Sequence, residues 1–240
     1  MRDMNLIASD SPLLLLPRGI DPKQRLFLDA IRVSAHFVGL AYKRLIENLE
    51  KSIPPENREK DCGLKAMVDA WSIVDSVYRL RQLVQRMPRY RDRMPSKQVF
   101  LRSTSDAEDL RHAIQHLDTD IETLLKAGQP PMGALTWIVP IDKSEGTMRI
   151  ESFIPGQLEE ASPGSLVSVP PDVPEHIDQV ELWASEYRVN LSELYRAVAK
   201  LVSSLETSLR PQCPELPRGP ADTWVSMTIQ VAPAGYEETG

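Results

Sequence analysis

One short stretch, DLRHAIQHLDTDI at residues 109–121, concentrates side chains that can do chemistry. An arginine can hold a phosphate through two parallel hydrogen bonds, and a histidine gains and loses a proton near neutral pH. Histidines and carboxylates together can also bind a metal ion. A helical wheel centred on Leu110 places Arg111, His112 and His116 away from the apolar side of their helix. Three interpretations of this polar arc are open.

The first interpretation is a metal site. Four side chains of ligand type recur at every fourth position, which aligns them along one side of a helix: Glu108, His112, His116 and Asp120. A set of four would extend along about 18 Å of helix, which is too long for one ion. Only His112 and His116, joined by a ligand from elsewhere, could share a metal. We predict no metal-binding residues and no cofactor.

The second interpretation is acid–base chemistry on a phosphodiester. Arg111 would hold the phosphate, and His116 would take the proton of a 2′-hydroxyl that attacks it, with His112 assisting and no metal needed. Residues five apart differ by about 140° around a helix, so Arg111 and His116 do not share one side. A homodimer would bring the arginine of one copy near the histidine of the other. In the third interpretation the arc is solvated or forms a polar dimer interface, and nothing reacts.

The segment RHAIQH resembles the signature of the HEPN superfamily (higher eukaryotes and prokaryotes nucleotide-binding), an Arg followed by four to six residues and a His. Arg111, His112 and His116 match it, including the polar residue favoured after the arginine. The resemblance implies a helical dimer with the motif at its cleft and, in many members, metal-independent RNase activity in toxin–antitoxin, defence or stress systems. It covers residues 21–127 and the helix near 191–209. Some members carry a modifiable tyrosine two residues after the histidine, where this chain has Asp118.

A basic cluster precedes the motif. Between Arg79 and Arg102 lie eight basic residues and one acid, a local charge of +7 in a chain of net charge −6. Such a cluster can guide an RNA strand, and an aromatic ring inside it can stack a base; it can equally be a solvated helix end that pairs with acidic neighbours. The residues expected to contact RNA are Arg79, Arg86, Arg89, Tyr90, Arg91, Arg93 and Arg102.

An acid upstream could support the motif. On the second predicted helix, Asp75 lies about 20° from Leu64, which we place in an apolar stripe with Met67, Val68 and Trp71. A buried carboxylate needs a partner. Two partners are open: Arg79 on the same helix, or a histidine or arginine from a neighbouring helix.

Periodicity predicts an α+β fold, with a mainly helical, four-helix-bundle-like core and a small antiparallel β-sheet appendage. Asp21 and Pro22 are typical of a helix start, and the wide apolar arc of that helix, including Phe37 and Leu40, predicts contact on two sides. The predicted divisions are an N-terminal arm (1–20), the helical bundle (21–128), two β-hairpins around a Pro-rich linker (129–190), a helix returning to the bundle (191–210) and a Pro-rich tail with a terminal strand (211–240).

Composition limits the remaining classes. The 42% hydrophobic content supports a sizeable core, and no segment approaches the roughly 20 apolar residues of a membrane span. Two isolated cysteines favour a reducing compartment, so we expect a cytoplasmic protein without membrane contact. No motif indicates DNA specificity. The expected partners are a second copy and RNA; the alternative, of another class, is a non-catalytic module that binds a protein partner.

Overall fold

The computed structural model describes residues 4–17, 19–53, 59, 61–90, 94–115, 121–122, 124–125, 130–156, 172–213, 222–223 and 225–228. Their elements are, in chain order, α1 (Pro22–Glu50), α2 (Cys62–Arg86), α3 (Pro95–Ser103), α4 (Ser105–Gln115), β1 (Ala134–Asp142), β2 (Thr147–Phe153), β3 (Asp178–Ala184), β4 (Tyr187–Asn190) and α5 (Leu191–Leu209), followed by a 3-10 turn, Arg210–Gln212. The mixed α+β class predicted from the sequence is confirmed.

Helix α1 begins where its sequence predicts. Asp21 Oδ1 accepts hydrogen bonds from the backbone N–H groups of Lys23 and Gln24, at 3.0 and 3.1 Å, and Pro22 is the first helical residue. The predicted contact on two sides is present for part of the apolar arc, because α1 packs against both α2 and α5. It does not extend to Phe37 and Leu40, which are 49% and 54% exposed among the described residues.

Helix α2 buries a different side from the one predicted. Its centre line is Ala66, Ala70, Ile73, Val77 and Leu80, all fully buried, whereas Leu64 and Val68 are 51% and 66% exposed. The two alanines are small, so a pattern weighted towards large apolar residues placed the stripe on the wrong side. Asp75, predicted to be near Leu64, is therefore exposed with it.

The four strands form one antiparallel sheet in the order β2-β1-β3-β4, and both predicted hairpins are confirmed. The sheet is not an appendage. The first six residues of β1, Ala134 to Val139, are all buried, so this strand is covered on both faces. Leu135, Val180 and Leu182 belong to the same hydrophobic core as the buried side chains of α1, α2 and α5.

Helix α5 starts directly where β4 ends. Asn190 closes the strand, and its Oδ1 accepts a hydrogen bond from the backbone N–H of Glu193 at 3.0 Å, which caps the helix. The helix packs against α1, α2, α3 and β3. The ring of Tyr195 stacks on Tyr42 of α1 at 4.4 Å, and the Tyr42 hydroxyl donates to Ser192 Oγ at 3.0 Å. Burial raises the pKa of Tyr42 to about 12.

The predicted terminal strand is wrong for the part that the structure describes. Residues 225–228 have no regular secondary structure, and all four are exposed, including Val225 and Met227. Just before them, Asp222 accepts a hydrogen bond at 2.9 Å from Arg32, whose side chain is buried in α1. The alternating segment SLVSVP, at residues 165–170 of the Pro-rich linker, predicts a short strand, and it lies outside the described residues. None of the described helices is long and apolar enough to cross a membrane.

Candidate functional site

Helix α4 holds the motif and is fixed against α2. Its Ala107 and Leu110 are fully buried, and the helix contacts α2, β3 and β4. On the side facing α2, Glu108 Oε2 accepts hydrogen bonds from Nε and Nη2 of Arg81, at 3.2 and 2.6 Å. Because the Arg81 side chain is only 7% exposed, this ion pair ties the two helices together in a partly desolvated place.

Arg111 lies where α4 passes α2, and two hydrogen bonds orient it. Its Nε donates to Asp75 Oδ1 at 3.0 Å, and its Nη1 donates to Gln115 Oε1, one turn further along α4, also at 3.0 Å. The Arg111 side chain is 24% exposed, and the Asp75 side chain is 53% exposed. The guanidinium is therefore held in one orientation at the surface.

Tyr78 completes the surroundings of Arg111. The guanidinium carbon of Arg111 lies 4.2 Å from the centroid of the Tyr78 ring, which is a cation–π contact. His112 meets the same ring edge-on, with centroids 6.0 Å apart and planes at 69°. One half-buried ring thus touches two consecutive residues of the motif.

Of the two partners left open for Asp75, the structure has the one on the neighbouring helix. Asp75 pairs with Arg111 across α2 and α4, 36 residues apart in sequence. Among the described contacts, Arg79 makes no ion pair with Asp75. The Asp75 carboxylate compensates the charge of Arg111 at the surface rather than in the core. This ion pair therefore contributes on the order of 0.5 kcal/mol to the free energy of unfolding.

The basic cluster divides into buried and exposed members. Lys97 is buried, and its Nζ donates to the backbone carbonyls of Gln85 and Tyr90, at 2.9 and 3.2 Å. Arg81 is buried against Glu108, Thr104 Oγ1 and the carbonyl of Leu101. These two cations stabilise the fold and are not open to a strand of RNA. The exposed members are Arg79, Arg86, Arg89 and Arg102.

The remaining residues of the sequence prediction have different positions. Tyr90 is half-buried, with its hydroxyl 2.7 Å from Ser96 Oγ and Lys97 Nζ 5.9 Å from its ring centroid, so only part of the ring could stack a base. His116, Arg91 and Arg93 lie outside the described residues, as do Asp118 and Asp120. Within the part of the chain that is described, no group of three or more His, Cys, Asp or Glu side chains is arranged to hold a metal ion.

A groove adjoins the site between α1 and α2. Its volume is about 380 Å³, and its lining residues include Phe37, Leu40, Arg44, Ser72, Asp75 and Arg79. Arg44 Nη2 pairs with Asp69 at 2.6 Å; burial raises the pKa of Asp69, and Arg44 opposes this. A larger cavity of about 930 Å³ lies elsewhere. Its lining carries four acids, Glu47, Glu50, Glu175 and Asp178, and two cations, Lys43 and Arg196. Because the acids outnumber the cations, this cavity suits a phosphate less well than the surroundings of Arg111, and we place the candidate site at Arg111.

The sequence does not single out Tyr78 as a site residue, because an aromatic residue at this spacing after Leu64 and Trp71 is typical of an apolar stripe. One signal was present, since Tyr78 follows Asp75 by three residues and so shares its side of α2. No family model, curated protein or solved structure matches this chain.

Proposed function

We propose that this chain is a HEPN-like RNA-binding protein in which Arg111 holds a phosphate, and that it cleaves RNA without a metal at a dimer cleft. The observation that carries the proposal is the arrangement of Arg111. Two helices and an aromatic ring orient its guanidinium, yet no described residue accepts a hydrogen bond from its Nη2. Those N–H groups remain for a phosphate oxygen.

The charges around the site support an RNA strand. Arg79, Arg86, Arg89 and Arg102 are exposed, and Arg79 follows Asp75 by one turn of α2. When log affinity is plotted against log salt concentration, each contact between an arginine and a phosphate of a single strand steepens the negative slope by about 0.7. Arg81 and Lys97 are buried and would add nothing. Salt dependence therefore separates the exposed members of the cluster from the buried ones.

In the proposed reaction, His116 takes the proton of a 2′-hydroxyl, and the resulting oxygen attacks the adjacent phosphorus. The bond from phosphorus to the 5′-oxygen breaks, that oxygen takes a proton from water, and the products are a 2′,3′-cyclic phosphate and a 5′-hydroxyl. The Arg111 guanidinium stabilises the charge that develops on the phosphate oxygens, and His112 assists.

Two copies would complete the site. The exposed Phe37 and Leu40 of α1 support a homodimer, since the described residues leave these two apolar side chains uncovered. The contacts of α5 with α1 and α2 support the four-helix core, and the two free cysteines support a cytoplasmic location.

The alternative is a non-catalytic module that binds a protein partner. The specific observation in its favour is that Asp75 already occupies Nε of Arg111, so a phosphate cannot use the Nε–Nη2 edge bidentately unless Asp75 moves. In this case the motif is an ion-paired surface next to the α1–α2 groove, and nothing reacts.

The test incubates purified protein with mixed RNAs in EDTA and compares wild type with Arg111→Ala and His116→Ala. We expect cleavage to fall by about 10²-fold or more in both variants, because each loses a group used in the transition state. Arg149→Ala is the matched control for charge, since Arg149 is, like Arg111, a partly exposed arginine that pairs with a carboxylate, here Glu151 on β2. His176→Ala is the control for an exposed histidine. Both controls should cleave like wild type.

The same proteins are titrated with a short single-stranded RNA at several salt concentrations. Loss of binding in Arg111→Ala, with cleavage absent even from the wild type, favours RNA binding without catalysis. The catalytic proposal is contradicted if wild type, Arg111→Ala and His116→Ala cleave RNA equally. The binding proposal is contradicted if Arg111→Ala binds RNA as tightly as wild type, and the non-catalytic module that binds a protein partner is then the remaining candidate.

A further inference from the structure

The ring of Tyr78 is the structural element that Arg111 and His112 share. Arg111 lies over the ring with its guanidinium carbon 4.2 Å from the centroid, and His112 meets the ring edge at 6.0 Å between centroids. Consecutive residues of a helix point about 100° apart, so a single side chain rarely contacts both. Tyr78 does so because it comes from α2, which packs against α4.

We infer that Tyr78 is a positioning residue: its ring holds Arg111 and His112 together so that the Arg111 guanidinium meets an RNA phosphate in a fixed orientation. The inference rests on the proposed function. A guanidinium is planar and weakly hydrated, and it therefore lies well on an aromatic ring without losing its in-plane hydrogen bonds. With Nε on Asp75, Nη1 on Gln115 and the face on Tyr78, the guanidinium has little rotational freedom left.

Without the Tyr78 ring, the hydrogen bonds to Asp75 and Gln115 would hold the Arg111 guanidinium less firmly. Asp75 is half exposed, and Gln115 is an exposed residue of α4, so water competes for both of their hydrogen bonds to Arg111. The ring is half-buried between the helices and offers a surface that water cannot replace. Among the described contacts the Tyr78 hydroxyl makes no hydrogen bond, so the proposed role belongs to the ring rather than to the hydroxyl.

Two substitutions of the same residue separate ring from hydroxyl. Tyr78→Phe keeps the aromatic ring, and we expect its affinity for a short single-stranded RNA in EDTA to stay within about twofold of wild type. Tyr78→Leu keeps an apolar side chain but removes the ring, and we expect about fivefold weaker binding. Trp71→Leu is the matched control, since Trp71 is another half-buried aromatic residue on α2, and it donates to the carbonyl of Met132 rather than contacting the motif.

A spectroscopic measurement distinguishes positioning from simple loss of stability. NMR order parameters of the Arg111 Nε–H bond and of the His112 ring report how firmly each side chain is held in one orientation. We expect both order parameters to fall in Tyr78→Leu and to stay near their wild-type values in Tyr78→Phe and Trp71→Leu. Trp71→Leu controls for a fall in stability, because a less stable protein that is still folded keeps the wild-type order of these two side chains.

The outcomes separate the inference from the proposed function. If Arg111→Ala weakens RNA binding but Tyr78→Leu binds like wild type, the inference is wrong and the proposed function stands. If the order parameters of Arg111 and His112 are unchanged in Tyr78→Leu, the inference is wrong whatever the RNA affinity. If Arg111→Ala binds RNA as tightly as wild type, the proposed function fails, and the positioning role fails with it.

Discussion

Replacing Arg81 with methionine is expected to destabilise the fold strongly while leaving the surface unchanged. The Arg81 side chain is 7% exposed, and its donors serve Glu108 Oε2, Thr104 Oγ1 and the carbonyl of Leu101. Methionine fills similar space but cannot donate a hydrogen bond. The substitution therefore leaves a carboxylate and a backbone carbonyl without the partner that their burial requires.

The magnitude follows from how far each abandoned group can reach water. Removing one member of a buried ion pair costs about 3 to 5 kcal/mol of unfolding free energy. The Glu108 side chain is 28% exposed and can recover part of its hydration, so we expect the lower end, about 3 kcal/mol. Glu108→Gln keeps hydrogen-bonding oxygen in place and should cost about 1 to 2 kcal/mol.

Urea unfolding followed by circular dichroism measures both values. The matched control is Arg79→Met, two residues earlier on α2, because Arg79 is exposed and has no described ion pair; its effect should be within about 0.5 kcal/mol. In the double variant Arg81→Met/Glu108→Gln the losses should be less than additive, since each removes the same contact. The reasoning is refuted if Arg81→Met unfolds within about 1 kcal/mol of Arg79→Met.

Two further predictions concern α1. Burial, and to a smaller extent Arg32, lower the pKa of His36, while Asp222 opposes this. The folded protein therefore binds a proton at His36 less readily than the unfolded chain does. The contribution of His36 to stability is complete above its unfolded pKa of about 6.5 and is lost as pH falls below it. His36→Gln should weaken the fall in urea midpoint between pH 7.5 and pH 5.5, and an unchanged fall contradicts this assignment. In sedimentation at micromolar concentration, the wild type should be a dimer, and the double variant Phe37→Ser/Leu40→Ser should be a monomer. Leu26 is an apolar residue of α1 that is 72% exposed, and the control variant Leu26→Ser should remain dimeric. A monomeric wild type would remove the support for the dimer.

The sequence predicted helices and hairpins well because their signals are local. The cap at Asp21 and the alternation in β1 and β2 depend on neighbours within a few residues. What the sheet packs against was not predictable in this way. The run from Ala134 to Val139 is nearly continuous in apolar residues, and such a run fits a strand covered on both faces as well as one half of an outlying hairpin, so the sequence leaves the packing of the sheet open.

The surroundings of the candidate site depend on contacts that are distant in sequence. Arg81 and Lys97 count towards the local charge of the basic cluster, but the sequence does not show their burial, because the partners that bury Arg81 are 20 to 27 residues away. The contact between Asp75 and Arg111 also depends on how two helices cross. For the terminal segment, the sequence predicts a strand that the described residues do not have. Its alternating residues are typical of a strand, but no described strand pairs with residues 225–228.

The joint between β4 and α5 has a consequence for how the protein can change in evolution. Asn190 ends the strand and Leu191 begins the helix, so no loop residue separates the register of the sheet from the rotation of the helix. One inserted residue at this joint would turn α5 by about 100° and carry Tyr195 away from Tyr42. The turn at residues 143–146 can lengthen without such an effect. Length variation in relatives should therefore be found at that turn and be absent from the joint.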